Sequence, residues 1–142
     1  MSAARPWDHL ITVSDVLALY TGGLRYGGES SPPKPGCLEQ SVGNAYTAEL
    51  YSESAFLPGL AFSGYLLYYL TRDHCFVDGN KRIAWLCAMR VLGTIPLTLN
   101  ASIDDAETLC KRIADSTRDD AIRDGSQVVM WFAEHVELVE NP

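Results

Sequence analysis

The sequence predicts an all-α domain, a compact bundle of about six helices. Apolar residues recur at helical spacing in several segments, two capping boxes mark helix starts, and no segment keeps the alternating pattern of a strand. The chain has 142 residues, of which 47% are hydrophobic. Chains of this length and composition fold as one globular domain with its own core, so we expect a single domain over residues 1–142.

The first two helices are predicted on either side of a long loop. A capping box over residues 12–15 opens a short helix, which Gly22 and Gly23 end. Residues 22–36 hold five glycines and three prolines. Such a stretch is typical of a loop, and long loops in compact domains are often functional. The second helix is expected to run from about Cys37 to Tyr51.

The third helix is the most apolar segment, from about Leu57 to Arg72. It lies within the uncharged run 54–71, whose 18 residues reach the lower limit for crossing a bilayer. Pro58 and Gly64 interrupt this run, and its tyrosines are poor hydrocarbon-facing residues. We therefore expect a helix buried in the middle of the domain, and no membrane association.

The remaining helices follow in close order. One should begin at Asn80 and reach Leu92, where Gly93 and Pro96 stop it. A second capping box over residues 102–105 introduces the next helix. Its apolar face consists of Ala106, Leu109, Cys110 and Ile113. Ser126 is expected to cap the last helix, whose apolar face consists of Val129, Phe132, Ala133 and Val136.

Charge and cysteine content exclude several classes of protein. Eleven basic against eighteen acidic residues give a net charge of −7, which argues against direct nucleic-acid binding. The four cysteines form no CxxC pair and have no histidine at ligand spacing, so a zinc site is not expected. They are Cys37, Cys75, Cys87 and Cys110. Because the first ten residues lack the apolar run of a secretory signal, we expect a cytoplasmic protein with reduced thiols.

The segment from His74 to Arg82 concentrates polar chemistry between two apolar helices. From residue 72 to residue 90 four basic residues stand against two acidic ones, a local balance of +2. Lys81 and Arg82 fall in the first turn of a helix, where cations oppose the helix dipole unless an anion lies between them. The alternatives are a structural histidine and a solvated helix start. The variety of polar groups favours a phosphate site instead.

This segment resembles the Doc (death on curing) branch of the Fic/Doc family, whose pattern reads HxFx(D/N)xNKR. All six specified positions match without gaps, and they are His74, Phe76, Asp78, Asn80, Lys81 and Arg82. Weaker similarity extends to LALYTGGLRYGG at residues 17–28 and to PGCLEQSV at residues 35–42, which is similar to the family's GxLESA stretch. The resemblance implies a Fic/Doc-like helical fold.

The resemblance also implies a role for each motif position. His74 would be the general base that takes a proton from an acceptor hydroxyl, and Asp78 would hold a Mg²⁺ ion between nucleotide phosphates. Phe76 would be buried and would fix the loop. The anion hole for the phosphates of ATP would be formed by Gly79, Asn80, Lys81 and Arg82.

Two departures from the Fic pattern bear on the reaction. Lys81 stands where Fic enzymes have a glycine, and Trp85 stands where they have their last arginine. Both departures are typical of the Doc branch, so the resemblance implies transfer of the γ-phosphate of ATP. The acceptor would be a hydroxyl of a cytosolic protein, a translation elongation factor by similarity, and the protein would be the toxin of a toxin–antitoxin system.

Two alternative functions remain open at this stage. One is a Fic-type AMP transferase. The other is a catalytically silent protein that binds an antitoxin or assists repression, against which the intact His74 and Asp78 argue. The resemblance further implies a Phd-like antitoxin whose C-terminal segment folds as a helix in the active-site cleft.

Overall fold

The computed structural model describes residues 11–23, 32–51 and 58–138. Most of the glycine-rich loop expected between the first two helices lies outside these residues. The described chain forms six helices and one pair of short strands, which confirms the all-α fold. The elements are α1 (Val13–Gly23), α2 (Cys37–Leu50), α3 (Pro58–Asp73), α4 (Asn80–Leu92), β1 (Leu97–Leu99), α5 (Ile103–Ala114), α6 (Gly125–His135) and β2 (Val136–Leu138).

Helix α3 lies at the centre of the bundle and packs against α2, α4 and α6. Its side chains Phe62, Leu66 and Leu67 are fully buried. A helix that is apolar all round must be covered on every side, which explains the long uncharged run. Gly64 lets α6 approach closely, since a Cβ at this position would come within 2.7 Å of Val129 Cγ2. Among the described residues, no helix is long and apolar enough to cross a membrane.

The capping box predicted at α1 is confirmed. At α5 the serine half of the predicted box is confirmed, and the predicted cap of the last helix is wrong. Thr12 Oγ1 accepts from the backbone N–H of Asp15, and Asp15 Oδ2 accepts from the N–H of Thr12. Ser102 Oγ accepts from the N–H of Asp105. At α6 the cap is Asp124, whose Oδ1 accepts from the N–H of Ser126 at 3.0 Å. Ser126 therefore lies inside the helix, two residues after Asp124, which caps it.

A small antiparallel pair corrects the expectation that no strand would form. Leu97 pairs with Leu138, and Leu99 pairs with Val136. Val136 had been assigned to the last helix, but that helix ends at His135. Strands of three residues are too short to show an alternating pattern, and this pairing joins segments far apart in the chain. The pair holds the chain after α4 against the chain after α6.

Candidate active site

The loop joining α3 and α4 is closed by one side chain, that of Asn80. Its Oδ1 accepts from the backbone N–H of Phe76 at 3.0 Å, and its Nδ2 donates to the carbonyl of Phe76 at 2.8 Å. The Phe76 ring is buried and stacks on Tyr20 with ring centroids 4.0 Å apart. The expected burial of Phe76 is thus confirmed. The Asn80 carboxamide faces the loop interior, so its contribution to a phosphate would come through its backbone N–H.

His74 is the exposed group at the start of this loop. Its Nδ1 lies 3.3 Å from Asn80 Nδ2. Because both bonds to Phe76 fix the orientation of the Asn80 amide, Nδ1 is the acceptor, and a neutral ring in this position has its proton on Nε2. A nitrogen able to take a proton from a substrate becomes available when this contact opens, and the exposed ring has room to turn.

The backbone of His74 adopts the left-handed conformation, with φ of 47°. This conformation costs free energy for a residue with a Cβ, and it persists where neighbouring contacts enforce it. On one side, Ser41 Oγ donates to the carboxylate of Asp73. On the other side, the carbonyl of Cys75 accepts from the N–H of Lys34 at 2.9 Å. Both neighbours of His74 therefore form hydrogen bonds with α2 or with the segment that leads into it.

A disulfide between Cys37 and Cys75 adds a covalent link at the same place, with the Cα atoms 5.5 Å apart. The expectation of four reduced thiols is therefore wrong for these two cysteines. They are 38 residues apart in sequence, and only the docking of α2 beside the loop brings them together. Cys87 and Cys110 are free and buried, as expected, and burial raises the pKa of the two thiols to about 12 and about 11.

The start of α4 has the features of an anion site. Gly79 occupies the N-cap position with φ of 79°, and it offers no side chain to the first-turn N–H groups. Lys81 and Arg82 are both exposed in this turn. A Cβ at Gly79 would lie 3.2 Å from an Arg82 guanidinium nitrogen, so this cation is folded back over the helix start. Unfilled N–H groups, the helix dipole and two cations all favour a phosphate here.

Asp78 lies on the exposed tip of the loop, and its Oδ1 accepts from the N–H of Gly79 at 2.8 Å. The described residues contain no group of three or more metal-ligating side chains. Mg²⁺ in nucleotide sites is bound through one or two carboxylates together with the substrate phosphates. A single exposed carboxylate beside the start of α4 is a donor set that fits such an ion.

A cleft of about 600 Å³ extends from this helix start between α4 and α5. Lys81 and Arg82 line its end at the loop, and Lys111 adds a third cation from α5. Its other lining residues are Trp85, Leu86, Ala101, Ser102, Ile103, Ala106, Glu107 and Cys110. The sequence analysis did not identify the contribution of α5 to this cleft. The exposure of the apolar residue Ile103 at the start of α5 marks this surface, but it is visible only in the folded chain.

The structure thus brings the predicted site residues together on one loop and one helix start. His74 and Asp78 are exposed on the loop, Lys81 and Arg82 are exposed on α4, and Asn80 lies beneath them. Their arrangement can hold an anion at the helix start beside an imidazole. The roles assigned to the individual residues remain predictions.

Two comparisons with known proteins bear on this site. Residues 9–92 match the model of the Fic/DOC family. This range includes α1 to α4 and the whole of the loop from His74 to Gly79. The chain is also 34% identical over 103 residues to the protein named Toxin Doc of Mycolicibacterium smegmatis, an alignment that covers 71% of this chain and 77% of that protein.

Proposed function

This chain belongs to the Fic/DOC family, and we propose that it is the toxin of a toxin–antitoxin pair that transfers the γ-phosphate of ATP to a protein hydroxyl. One observation supports this most: the exposed His74 lies on a loop that leads directly into the cationic, uncapped start of α4. Histidine is the side chain that most often acts as a general base. The similarity to Toxin Doc supports the assignment as a toxin.

The proposed reaction needs positioning and charge neutralisation more than covalent chemistry from the protein. The N–H groups at the start of α4, together with Lys81 and Arg82, would bind the phosphates. Asp78 would hold Mg²⁺, which neutralises charge on the phosphates when bound. His74 would accept the proton of the attacking hydroxyl after its ring leaves the contact with Asn80.

Lys81 favours phosphate transfer over AMP transfer. Its side chain lines the cleft, close enough to Cys110 for its charge to oppose the rise in the pKa of that thiol. A glycine at this position would leave the space open. With a lysine there, the volume next to the helix start is smaller and more positive, so the terminal phosphate is the group expected to face His74.

The cleft between α4 and α5 supports the proposal of an antitoxin partner. Leu86 and Ile103 expose 41% and 79% of their surface, and the cleft lining includes three cations and one carboxylate, that of Glu107. An amphipathic helix with acidic residues along its rim would complement this surface. We therefore propose a Phd-like antitoxin whose C-terminal segment fills the cleft and covers Lys81 and Arg82. We also propose a cytoplasmic location and, as the target, a translation elongation factor.

Intact-mass analysis tests the proposed reaction. The purified protein is incubated with Mg-ATP and a purified elongation factor, and the same reaction is run with His74→Ala. We expect the factor to gain the mass of one phosphate with the wild-type protein and nothing with the variant. A gain of one AMP would establish the alternative activity. An unmodified factor would refute this target, and equal modification by His74→Ala would refute the role of the base.

A further inference from the structure

We propose that Cys37 and Cys75 form a reversible redox site that controls the backbone of His74, so that the disulfide form is the active form. This inference rests on the proposed function and concerns the regulation of the same site. The disulfide joins the first residue of α2 to the residue that directly follows His74. Neither cysteine occupies one of the six motif positions that resemble the family pattern.

The first support is the conformation that the disulfide protects. His74 has a left-handed backbone, which a residue with a Cβ avoids unless its surroundings impose it. Three contacts impose it here: the bond of Ser41 to Asp73, the bond of Lys34 to the carbonyl of Cys75, and the disulfide. The disulfide is the only covalent contact of the three, and it acts one residue from the strained position.

The second support is the unequal exposure of the two sulfur-bearing residues. Cys37 is half-buried, whereas Cys75 is 2% exposed. Cys37 is therefore the more accessible residue of the pair, while Cys75 is shielded by the fold. Thiol–disulfide exchange depends on access to the attacked sulfur, so Cys37 is the expected entry point and Cys75 the leaving sulfur.

A low-molecular-weight thiol is the reductant in this exchange. The thiolate attacks Cys37 Sγ, a mixed disulfide forms there, and Cys75 leaves as a thiolate that takes up a proton. A second thiol attacks the mixed disulfide and releases Cys37, so two thiols become one small disulfide and two electrons pass to the cysteine pair. The reverse exchange with a small disulfide restores the bond.

Reduction should lower activity without unfolding the chain. The two hydrogen bonds that flank His74 remain, and the stacked Phe76 ring still anchors the loop. Without the covalent tie, we expect His74 to gain access to the right-handed backbone conformation, which would move its ring relative to the start of α4. We expect transfer to be about tenfold slower, the order of the population change that the cost of a left-handed backbone implies.

The first experiment titrates the cysteines of the full-length protein in glutathione buffers of increasing reducing power. Alkylation and mass analysis then count and locate the free thiols. We expect Cys37 and Cys75 to become labelled together, in one two-electron step, while Cys87 and Cys110 stay unlabelled in the native fold because they are buried. Labelling of Cys37 and Cys75 before any reductant is added would overturn the proposal. Failure of every glutathione buffer to reduce the disulfide would overturn it as well.

The second experiment measures the environment of the His74 ring by NMR and does not depend on transfer activity. Imidazole NMR signals of the oxidised and reduced proteins are compared with those of Cys37→Ser, which cannot form the bond. We expect reduction to shift the His74 signals to the positions seen in Cys37→Ser. The matched control is Cys87→Ala, which removes a buried thiol away from the loop and should respond as the wild type does. Identical His74 signals in both redox states would overturn the proposal.

Rates of phosphate transfer complete the test once a target protein has been identified. The oxidised protein should be about tenfold faster than its reduced form, and Cys37→Ser should be slow in both buffers. Equal rates would overturn the control of activity. Absence of transfer in every form would refute the proposed function, and the thiol titration and NMR signals would still decide whether the pair is a redox site that moves His74.

Discussion

Asn80 Nδ2 lies 3.3 Å from His74 Nδ1, and the same amide group donates to the carbonyl of Phe76. One side chain thus joins the exposed imidazole to the buried end of the loop. Asn80 is 7% exposed, so its two bonds to Phe76 are buried, and its contact with His74 is partly buried. The position of the proposed base is therefore coupled to the closure of the loop itself.

Replacement of Asn80 by alanine tests this coupling. The variant leaves the N–H and carbonyl of Phe76 without their partner, so we expect a loss of about 1–3 kcal/mol in the free energy of unfolding. His74 would also lose its contact, and target modification should fall more than the fraction of folded protein does. Urea unfolding and intact-mass kinetics measure the two effects. A variant that keeps wild-type stability would show that the loop closes without this amide.

Nucleotide binding should depend on Asp78 and on Arg82. Asp78→Ala is expected to abolish the Mg²⁺ dependence of ATP affinity, because the variant lacks the carboxylate proposed to hold the ion. Arg82→Ala should weaken affinity by about 1.5–3 kcal/mol through loss of a charge-assisted phosphate contact. Calorimetry with and without Mg²⁺ measures both, and Arg118→Ala, on the exposed chain after α5, is the control. Unchanged affinity in both site variants would contradict the site assignment.

Lys81 should decide which phosphorus faces His74. Lys81→Gly enlarges the space at the start of α4 and removes one cation, so loss of γ-phosphate transfer is expected. Gain of AMP transfer would be weak, since Trp85 remains where Fic enzymes have an arginine. Reactions with γ-labelled and α-labelled ATP on the same target distinguish the two outcomes. Undiminished transfer of the γ-label would show that this lysine does not control orientation.

Acid should weaken the start of α1 through Asp15. The N–H of Thr12 donates to this carboxylate and lowers its pKa, and Thr12 Oγ1 and Arg90 lower it further. A carboxyl group whose pKa is lower in the folded state stabilises the fold above its unfolded pKa, and this contribution disappears as the pH falls below about 4. Asp15→Asn should therefore be less stable than the wild type at pH 7, by about 1 kcal/mol or less.

The measurement for Asp15 is urea unfolding of both proteins at several values of pH between 7 and 3. The difference between wild type and Asp15→Asn should shrink as the pH falls, because the wild-type carboxylate becomes protonated and resembles the neutral amide. A constant difference over this range would mean that the ionised carboxylate does not stabilise the helix start.

The sequence predicted the features that local chemistry determines. Helix α4 begins at Asn80 and ends at Leu92 as expected, because turn residues precede it and Gly93 follows it. The candidate site residues were also predictable, since His74 to Arg82 form one continuous segment. A site made of neighbouring residues on a loop and the next helix turn depends little on tertiary packing.

The features that the sequence did not reveal depend on contacts between distant segments. The Cys37–Cys75 disulfide requires α2 to dock beside the loop, and the β1–β2 pair requires the chain after α6 to return to the chain after α4. The residues that α5 contributes to the cleft lining also come from a segment distant in the chain, so the sequence did not reveal them. The cap of α6 was missed for a different reason: two candidates lie two residues apart, Asp124 and Ser126, and the carboxylate is the one that caps the helix.

The burial of α3 limits the positions at which substitutions are tolerated. Every position from Gly59 to Thr71 is buried or half-buried, and α2, α4, α5 and α6 all contact this helix. Substitutions in α3 therefore disturb several interfaces at once, whereas Val77 on the loop and Leu86 on α4 face solvent. Substitutions at such solvent-facing positions should therefore cost little free energy of unfolding, whereas packing constrains the side chains of α3, the helix that ends directly before His74.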